Sequence, residues 1–367
     1  MSVPKPTTGI SLRRVVIAVS SSVMMIFPPL AGAGDWPTRL EARLTEIDRQ
    51  YAGEIGVHVR RPATDERLGH RDAERWYWAS LVKIPVAVEL LDRVSRGDID
   101  LQERMTLAQS DYVDGAGATN WAEPGSEIRL RTLLERMLIQ SDNTATDMLI
   151  RRVGLDAVNH RARRLMSDGI GPITTLVDVR RHLYAAFTDQ AWSLSGLELI
   201  DLRQSAFGEP RLARLAQLTD VSRRDFPLDD LAAGYERYYA TGLNSGRLDR
   251  YADMLARINA GKALDGEATQ VLLEIMRRAT TGHARLAAGF QREWPFAQKT
   301  GTQHARFCDA GIVNPRTSRA VIIVSCLKGD PSRQNANRTF QAIGEAIEAS
   351  GVLDGGSSDQ PLTGTTF

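Results

Sequence analysis

Strand-forming sequence is confined to the two ends of this chain, and the long stretch between them carries helical period. Any sheet must therefore be assembled from segments far apart in the chain. Near the front, Ile55-Gly56-Val57-His58-Val59-Arg60 reads as a strand. Near the back, so do Ala310-Gly311-Ile312-Val313 and the strongly apolar Ala320-Val321-Ile322-Ile323-Val324-Ser325-Cys326. From Ser80 to about Arg285 nearly everything has the period of a helix. The expected class is α+β: an α/β sandwich lobe, whose antiparallel sheet comes from both chain ends under terminal helices near 37–51 and 335–350, packed on an all-helical lobe of about 86–285. The cleft between two such lobes is where a pocket is expected.

Three short strings fall where that cleft would form. Ser80-Leu81-Val82-Lys83 opens the apolar run Ile84 to Leu91, the start of a buried helix. A spacing of three puts Ser80 and Lys83 on one helical face, one turn apart. Serine is a weak nucleophile at neutral pH, and a desolvated lysine with a lowered pKa can take its proton. Pro85 lies inside this segment, so an irregular first turn is expected around Ser80.

Ser141-Asp142-Asn143 ends one amphipathic stretch and precedes another, at a break between helices. There the Ser141 hydroxyl can relay a proton to a leaving nitrogen, and the Asn143 amide can hold a substrate carbonyl. Lys299-Thr300-Gly301 follows Trp294-Pro295-Phe296 and enters a strand. It supplies a fixed positive charge, and the Thr302 backbone N–H can join that of Ser80 in stabilising an oxyanion. Taken singly, each string also reads as an ordinary helix cap or strand-end turn. Their order and separations are what give them weight.

Together the strings resemble the class A β-lactamase and penicillin-recognising serine hydrolase family. The resemblance runs from about residue 38 to about residue 350. It includes Asn120-Trp121-Ala122-Glu123-Pro124-Gly125-Ser126 before the second string and Thr280-Thr281-Gly282-His283-Ala284-Arg285 before the third. It implies a class A β-lactamase or DD-peptidase-like fold and an acyl-enzyme formed on Ser80. Lys83 is then the base or its partner, Ser141 the proton shuttle, and Asn143 a contact of substrate and Lys83. Lys299, Thr300, Gly301 and Thr302 bind substrate, Arg285 matches a carboxylate-binding arginine of some members, and Tyr112 matches an aromatic at the rim of the cleft. The implied partner is a small-molecule β-lactam or a peptidoglycan stem peptide, with no cofactor and no metal, and the protein is expected to be a monomer.

One part departs from the family. Efficient members carry a Glu-x-x-Leu-Asn stretch whose glutamate activates the deacylating water, and the nearest match here is Ala240-Thr241-Gly242-Leu243-Asn244. Alanine cannot accept a proton. The surrounding region, about 164–250, is poorly matched and expanded, with Glu236, Glu198 and Asp178 as candidate substitutes and as plain surface carboxylates alike. Slow or differently arranged deacylation is expected. Three functions follow: a β-lactam-hydrolysing enzyme, a D-alanyl-D-alanine peptidase or peptidoglycan hydrolase, and a sensor that is acylated and stays so.

Lys5, Arg13 and Arg14 precede the apolar run Val15–Leu30, which ends at Ala31-Gly32-Ala33. Residues 1–33 thus read as a removable signal peptide for a periplasmic or secreted protein without a stable membrane anchor, by the general or the twin-arginine route. Residues 34–350 form the hydrolase domain, and 351–367, rich in Gly, Ser and Thr, read as a disordered tail. The net charge is +1, and no basic block with interleaved aromatics appears, which counts against nucleic acid. No His pair has zinc-ligand spacing. His304, close after the third string, can line the cleft or lie exposed. Cys308 and Cys326 flank an expected hairpin turn around Asn314-Pro315-Arg316, either as a disulfide or as two free thiols.

Overall fold

The sheet is indeed built from both ends of the chain. A computed structural model describes residues 36–354. Its strands are β1 (Glu54–Arg60), β2 (Arg67–His70), β3 (Trp76–Tyr77), β4 (Arg104–Thr106), β5 (Glu127–Arg129), β6 (Ser245–Gly246), β7 (Phe296–Gln303), β8 (Arg306–Val313) and β9 (Val321–Lys328). Five of them form one antiparallel sheet in the order β2-β1-β9-β8-β7, with Val57 opposite Ser325 where the two chain ends meet. Both faces of this sheet are covered, which is why β9 is apolar on both faces, with Ser325 the one polar residue before Lys328. Val321, Ile323 and Leu327 pack under the terminal helices α1 (Trp36–Gln50) and α12 (Arg333–Ala349). Ile322, Val324 and Cys326 face the helical lobe. Cys308 on β8 lies opposite Cys326 on β9, with Cα atoms 4.1 Å apart, and the two form a disulfide.

The helical lobe comprises α2 (Lys83–Ser95), α3 (Leu130–Glu135), α4 (Asn143–Val153), α5 (Leu155–Met166), α6 (Leu176–Tyr184), α7 (Gly196–Gln204), α8 (Glu209–Thr219), α9 (Leu231–Ala240), α10 (Leu248–Asn259) and α11 (Gly266–Arg277). Helix α2 runs through its centre, and every residue from Lys83 to Leu91 is buried. Pro85 falls in the first turn of α2, where the missing N–H would have had no helical partner.

The expanded region is a closed excursion. Its neck is tied by Gly171 N donating to Ser245 O at 2.8 Å and Asn244 N donating to Pro172 O at 2.9 Å. Asn244 Oδ1 also accepts from Thr174 N at 3.0 Å. Helices α6 to α9 all lie within the excursion. Leu243-Asn244 thus closes the neck and does not line the cleft.

The expected leader at 1–33 and residues 355–367 of the expected tail lie outside the described residues. The first four residues of that tail correct the expectation. Val352 and Leu353 are buried against the terminal helices, and Arg61 donates to the carbonyls of Gly351 and Val352. Two adjacent apolar side chains there bury more than the glycine beside them costs in chain freedom.

Candidate active site

Ala79 and Ser80 belong to a 3-10 turn, Ala79–Val82, that leads directly into α2. Ala79 has φ +48°, a left-handed conformation that costs an alanine about 1–2 kcal/mol. The surroundings hold it there. Trp78 is fully buried with its ring edge-on to Tyr251 at 5.0 Å, and the Tyr251 hydroxyl donates to Leu81 O at 2.9 Å. On the open side, edge strand β7 passes so close that a Cβ on Gly301 would lie 2.2 Å from Trp78 O and 3.3 Å from Ser80 N. Only glycine permits that approach.

Ser141 lies at the expected break. Helix α3 ends in a π-helical turn, Arg136–Gln140, and Ser141 takes φ +62° before α4 begins. Asp142 makes this possible: its fully buried carboxylate caps α4 by accepting from Ala145 N at 2.8 Å and accepts from Thr119 N at 2.8 Å. Asp142→Ala leaves two buried N–H groups unpaired and should cost about 2–4 kcal/mol of stability. A lowered urea midpoint with an unchanged slope checks this.

The three strings converge on Ser141. Lys83 Nζ donates to Ser141 O at 2.5 Å and to Asn143 Oδ1 at 2.7 Å, and contacts Ser141 Oγ at 3.3 Å. Lys299 Nζ donates to the same Oγ at 2.9 Å and to Thr300 O at 2.9 Å. Burial pushes the Lys83 amine down to about 7, against the pull of Asp142 and Asp147. Burial, then the Lys83 charge, pushes Lys299 well below the ordinary lysine range. Ser80 Oγ has no hydrogen-bond partner among the described residues. The bonds of Lys83 are to Ser141 and Asn143, and none is to Ser80 among the described residues.

Ser80, Ser141, Asn143, Arg285, Thr300 and Thr302 line one cavity of about 540 Å³. Gly301 lies behind them, against the Ser80 turn. Arg285 is buried and donates to Gly301 O at 3.0 Å and Thr302 Oγ1 at 2.6 Å, and burial lowers its pKa to about 10. Thr300 Oγ1 donates to Thr281 Oγ1 at 2.8 Å. His304 also lines the cavity.

Tyr112 does not, which corrects that expectation. It is 4 % exposed, and its hydroxyl donates to Ala122 O. The loop has an internal acceptor for the phenol, so the ring turns into the core. Glu236 pairs with Arg306, Glu198 caps α7 through Ser195, and Asp178 pairs with Arg181. None of these three carboxylates lines the cavity, and among the described residues Asp114 is the one carboxylate that does.

Two groups escaped the sequence reading. Asp147, one turn after Asn143, accepts from Leu176 N at 2.7 Å and Val177 N at 2.9 Å, which ties the excursion to α4. Burial raises its carboxyl to about 7. Its spacing of four from Asn143 was the available signal. The other group is the set of arginines that the excursion brings to the cavity, Arg180, Arg203 and Arg211, for which local sequence held no signal.

The fold is α+β, and two serines, Ser80 and Ser141, line one cleft with two buried lysines, Lys83 and Lys299, bonded behind Ser141. Comparison with known proteins gives the family. Residues 39–350 match the Beta-lactamase enzyme family, and the chain belongs to it. It is 22% identical over 312 residues to a β-lactamase of Bacillus licheniformis, covering 85% of this chain and 82% of that protein. Among solved structures it is similar to a β-lactamase from Sphaerobacter thermophilus, with a TM-score of 0.61, 19% identity, and 86% and 98% of the two chains covered. A PBP-A variant in an acyl-enzyme complex with penicillin G is alike at a TM-score of 0.62 and 19% identity, with 85% and 96% covered. The chain is a serine hydrolase of the β-lactamase family.

Proposed function

We propose that this protein forms an acyl-enzyme on Ser80 with a β-lactam or a related amide and releases it slowly. Ser80 Oγ attacks the carbonyl carbon, the C–N bond breaks, and the serine proton passes by way of Lys83 and Ser141 to the departing nitrogen. Lys83 can accept that proton near neutrality because burial holds its amine at about 7. Lys299, Thr300 and Arg285 take the substrate carboxylate, and the Ser80 and Thr302 N–H groups take the oxyanion.

The observation that carries this reading is the Lys83–Ser141–Lys299 bond chain beside an unpartnered Ser80 hydroxyl. Slow release is supported by the cavity lining. Asp114 is engaged with Arg180, so among the described residues no unpaired carboxylate lines the cavity to activate water. The same lack supports a second reading, a D-alanyl-D-alanine peptidase. Export is supported by the disulfide, since such bonds persist in oxidising compartments.

Intact-protein mass spectrometry after mixing with benzylpenicillin tests the scheme. The expected result is an adduct that lasts minutes and maps to the peptide holding Ser80. Rapid turnover with no adduct would reject slow release, and an adduct elsewhere would reject the nucleophile. D-alanine release from an acyl-D-alanyl-D-alanine peptide would favour the second reading.

A further inference from the structure

The cavity lining holds two groups of basic residues. One is the end described above, with Arg285 and Thr300 in the lining and Lys299 buried behind them. The other is built by the excursion, which brings Arg180, Arg203, Arg211, Phe207 and Tyr235 to meet His304 just past β7. Thr300 and His304 are four residues apart, about 13 Å along extended chain.

Three guanidiniums line this second end, and two of them share a single carboxylate. Arg180 donates through Nε to Asp114, and Arg203 Nε lies 3.9 Å from that same carboxylate. Arg211 is 2 % exposed and donates to the carbonyls of Ser205 and Arg203. The formal sum of Arg180, Arg203, Arg211 and Asp114 is +2, unbalanced by any other carboxylate lining the cavity. Like charges held this close repel unless an anion joins them. The Tyr235 hydroxyl lies within the field of all three arginines, and no described residue hydrogen-bonds to it. Beside these cations is an aromatic wall. His304 stacks on Phe207 at 4.7 Å and lies 5.1 Å from Tyr235, and Phe207 is left 46% exposed.

Resting on the acyl-serine reading above, we propose that the excursion builds a subsite for acyl donors whose acyl side chain carries its own carboxylate beside a flat or apolar group. The substrate is then a dianion, with one carboxylate at Arg285 and Lys299 and the other at Arg203, Arg180 and Tyr235. Arg203 is the adaptable member. Its side chain is 58% exposed and makes only the long contact to Asp114, so it is free to turn onto a ligand.

The test compares carbenicillin with benzylpenicillin, which differ by one carboxylate on the side-chain carbon next to the phenyl ring. With the full chain, the second-order acylation constant should favour carbenicillin by about tenfold, the scale of one charge-assisted hydrogen bond. In Arg203→Glu that ratio should fall by at least as much, and reading a ratio cancels any loss of folded protein. A ratio at or below one in the natural chain, or one unmoved by Arg203→Glu, overturns the subsite. Calorimetry with phenylmalonate against phenylacetate reads the same subsite without acylation. Phenylmalonate binding that is weakened in Arg203→Glu supports the subsite even if no penicillin reacts, an outcome that would reject the acyl-serine reading alone. Equal or absent binding of the two probes counts against the subsite. Faster D-alanine release from a succinyl-capped than an acetyl-capped D-alanyl-D-alanine peptide would assign the second carboxylate to a peptide donor. Preference confined to carbenicillin would assign it to a β-lactam.

Discussion

Lys83→Ala lowers the acylation rate by ~10²–10⁴-fold, the loss expected for a general base. The amine is fully buried, bonded to Ser141 and Asn143, and burial holds it at about 7 rather than near the ordinary lysine value. Only the neutral amine can accept the serine proton. Acylation by a fluorescent penicillin should therefore rise with pH up to about 7 and level off above it in the natural protein, and the variant should lose that inflection. Stability supplies a second readout. An unfolded lysine keeps its proton up to about 10.4, so between about 7 and that value the unfolded chain binds more protons than the folded one. Stability from this group thus rises with pH across the window. Lys299, pushed down in the same way, contributes with the same sign. Replacing Lys83 by Met should flatten part of the slope of urea stability against pH. A variant that acylates at the native rate with the native pH profile would remove Lys83 from the mechanism.

The two-lobe fold was legible because its signals are local. The β-branched run Val321–Cys326 marks a strand buried on both faces, and Trp36, Leu40 and Leu44 mark one face of α1 by their spacing of four. The three strings were legible for the same reason, since each is only three or four residues long. Other features depend on distant partners. Whether Cys308 and Cys326 bond is decided by the register of β8 on β9, in which they fall directly opposite. Tyr112 turned inward because Ala122 O lies within its reach, ten residues away. The excursion reads from sequence only as a poorly matched, expanded region of mostly helical period. Its closure depends on Asn244 meeting Thr174 and on Asp147 meeting Leu176 and Val177, contacts that no local pattern encodes. The cationic end of the cavity stayed invisible with it, because Arg180, Arg203 and Arg211 come from three different helices.

Gly301→Val should cut acylation by about 10²-fold or more while leaving most of the protein folded. The new Cβ would lie 2.2 Å from Trp78 O, far inside contact distance, so either β7 or the Ser80 turn must move by about 1 Å. The turn is clamped from behind by the fully buried Trp78 and by Tyr251 bonding to Leu81 O. The strand is at the sheet edge and pairs with β8 alone, so β7 yields. Its shift carries Lys299 away from Ser141 Oγ, breaking the 2.9 Å bond that fixes the hydroxyl between two amines. It would also displace the Thr302 N–H proposed above to share the oxyanion with that of Ser80. Overpacking of this kind costs about 1–3 kcal/mol of stability, so a modest fall in Tm should accompany a large fall in rate. Gly301→Ala adds the same Cβ and should lose nearly as much, whereas a loss that grew with side-chain volume would point to general crowding. Penicillin acylation measured on both variants at a temperature well below their Tm separates the two causes. Near-native rates in Gly301→Ala would mean that the close approach of β7 to the Ser80 turn is not what aligns the site.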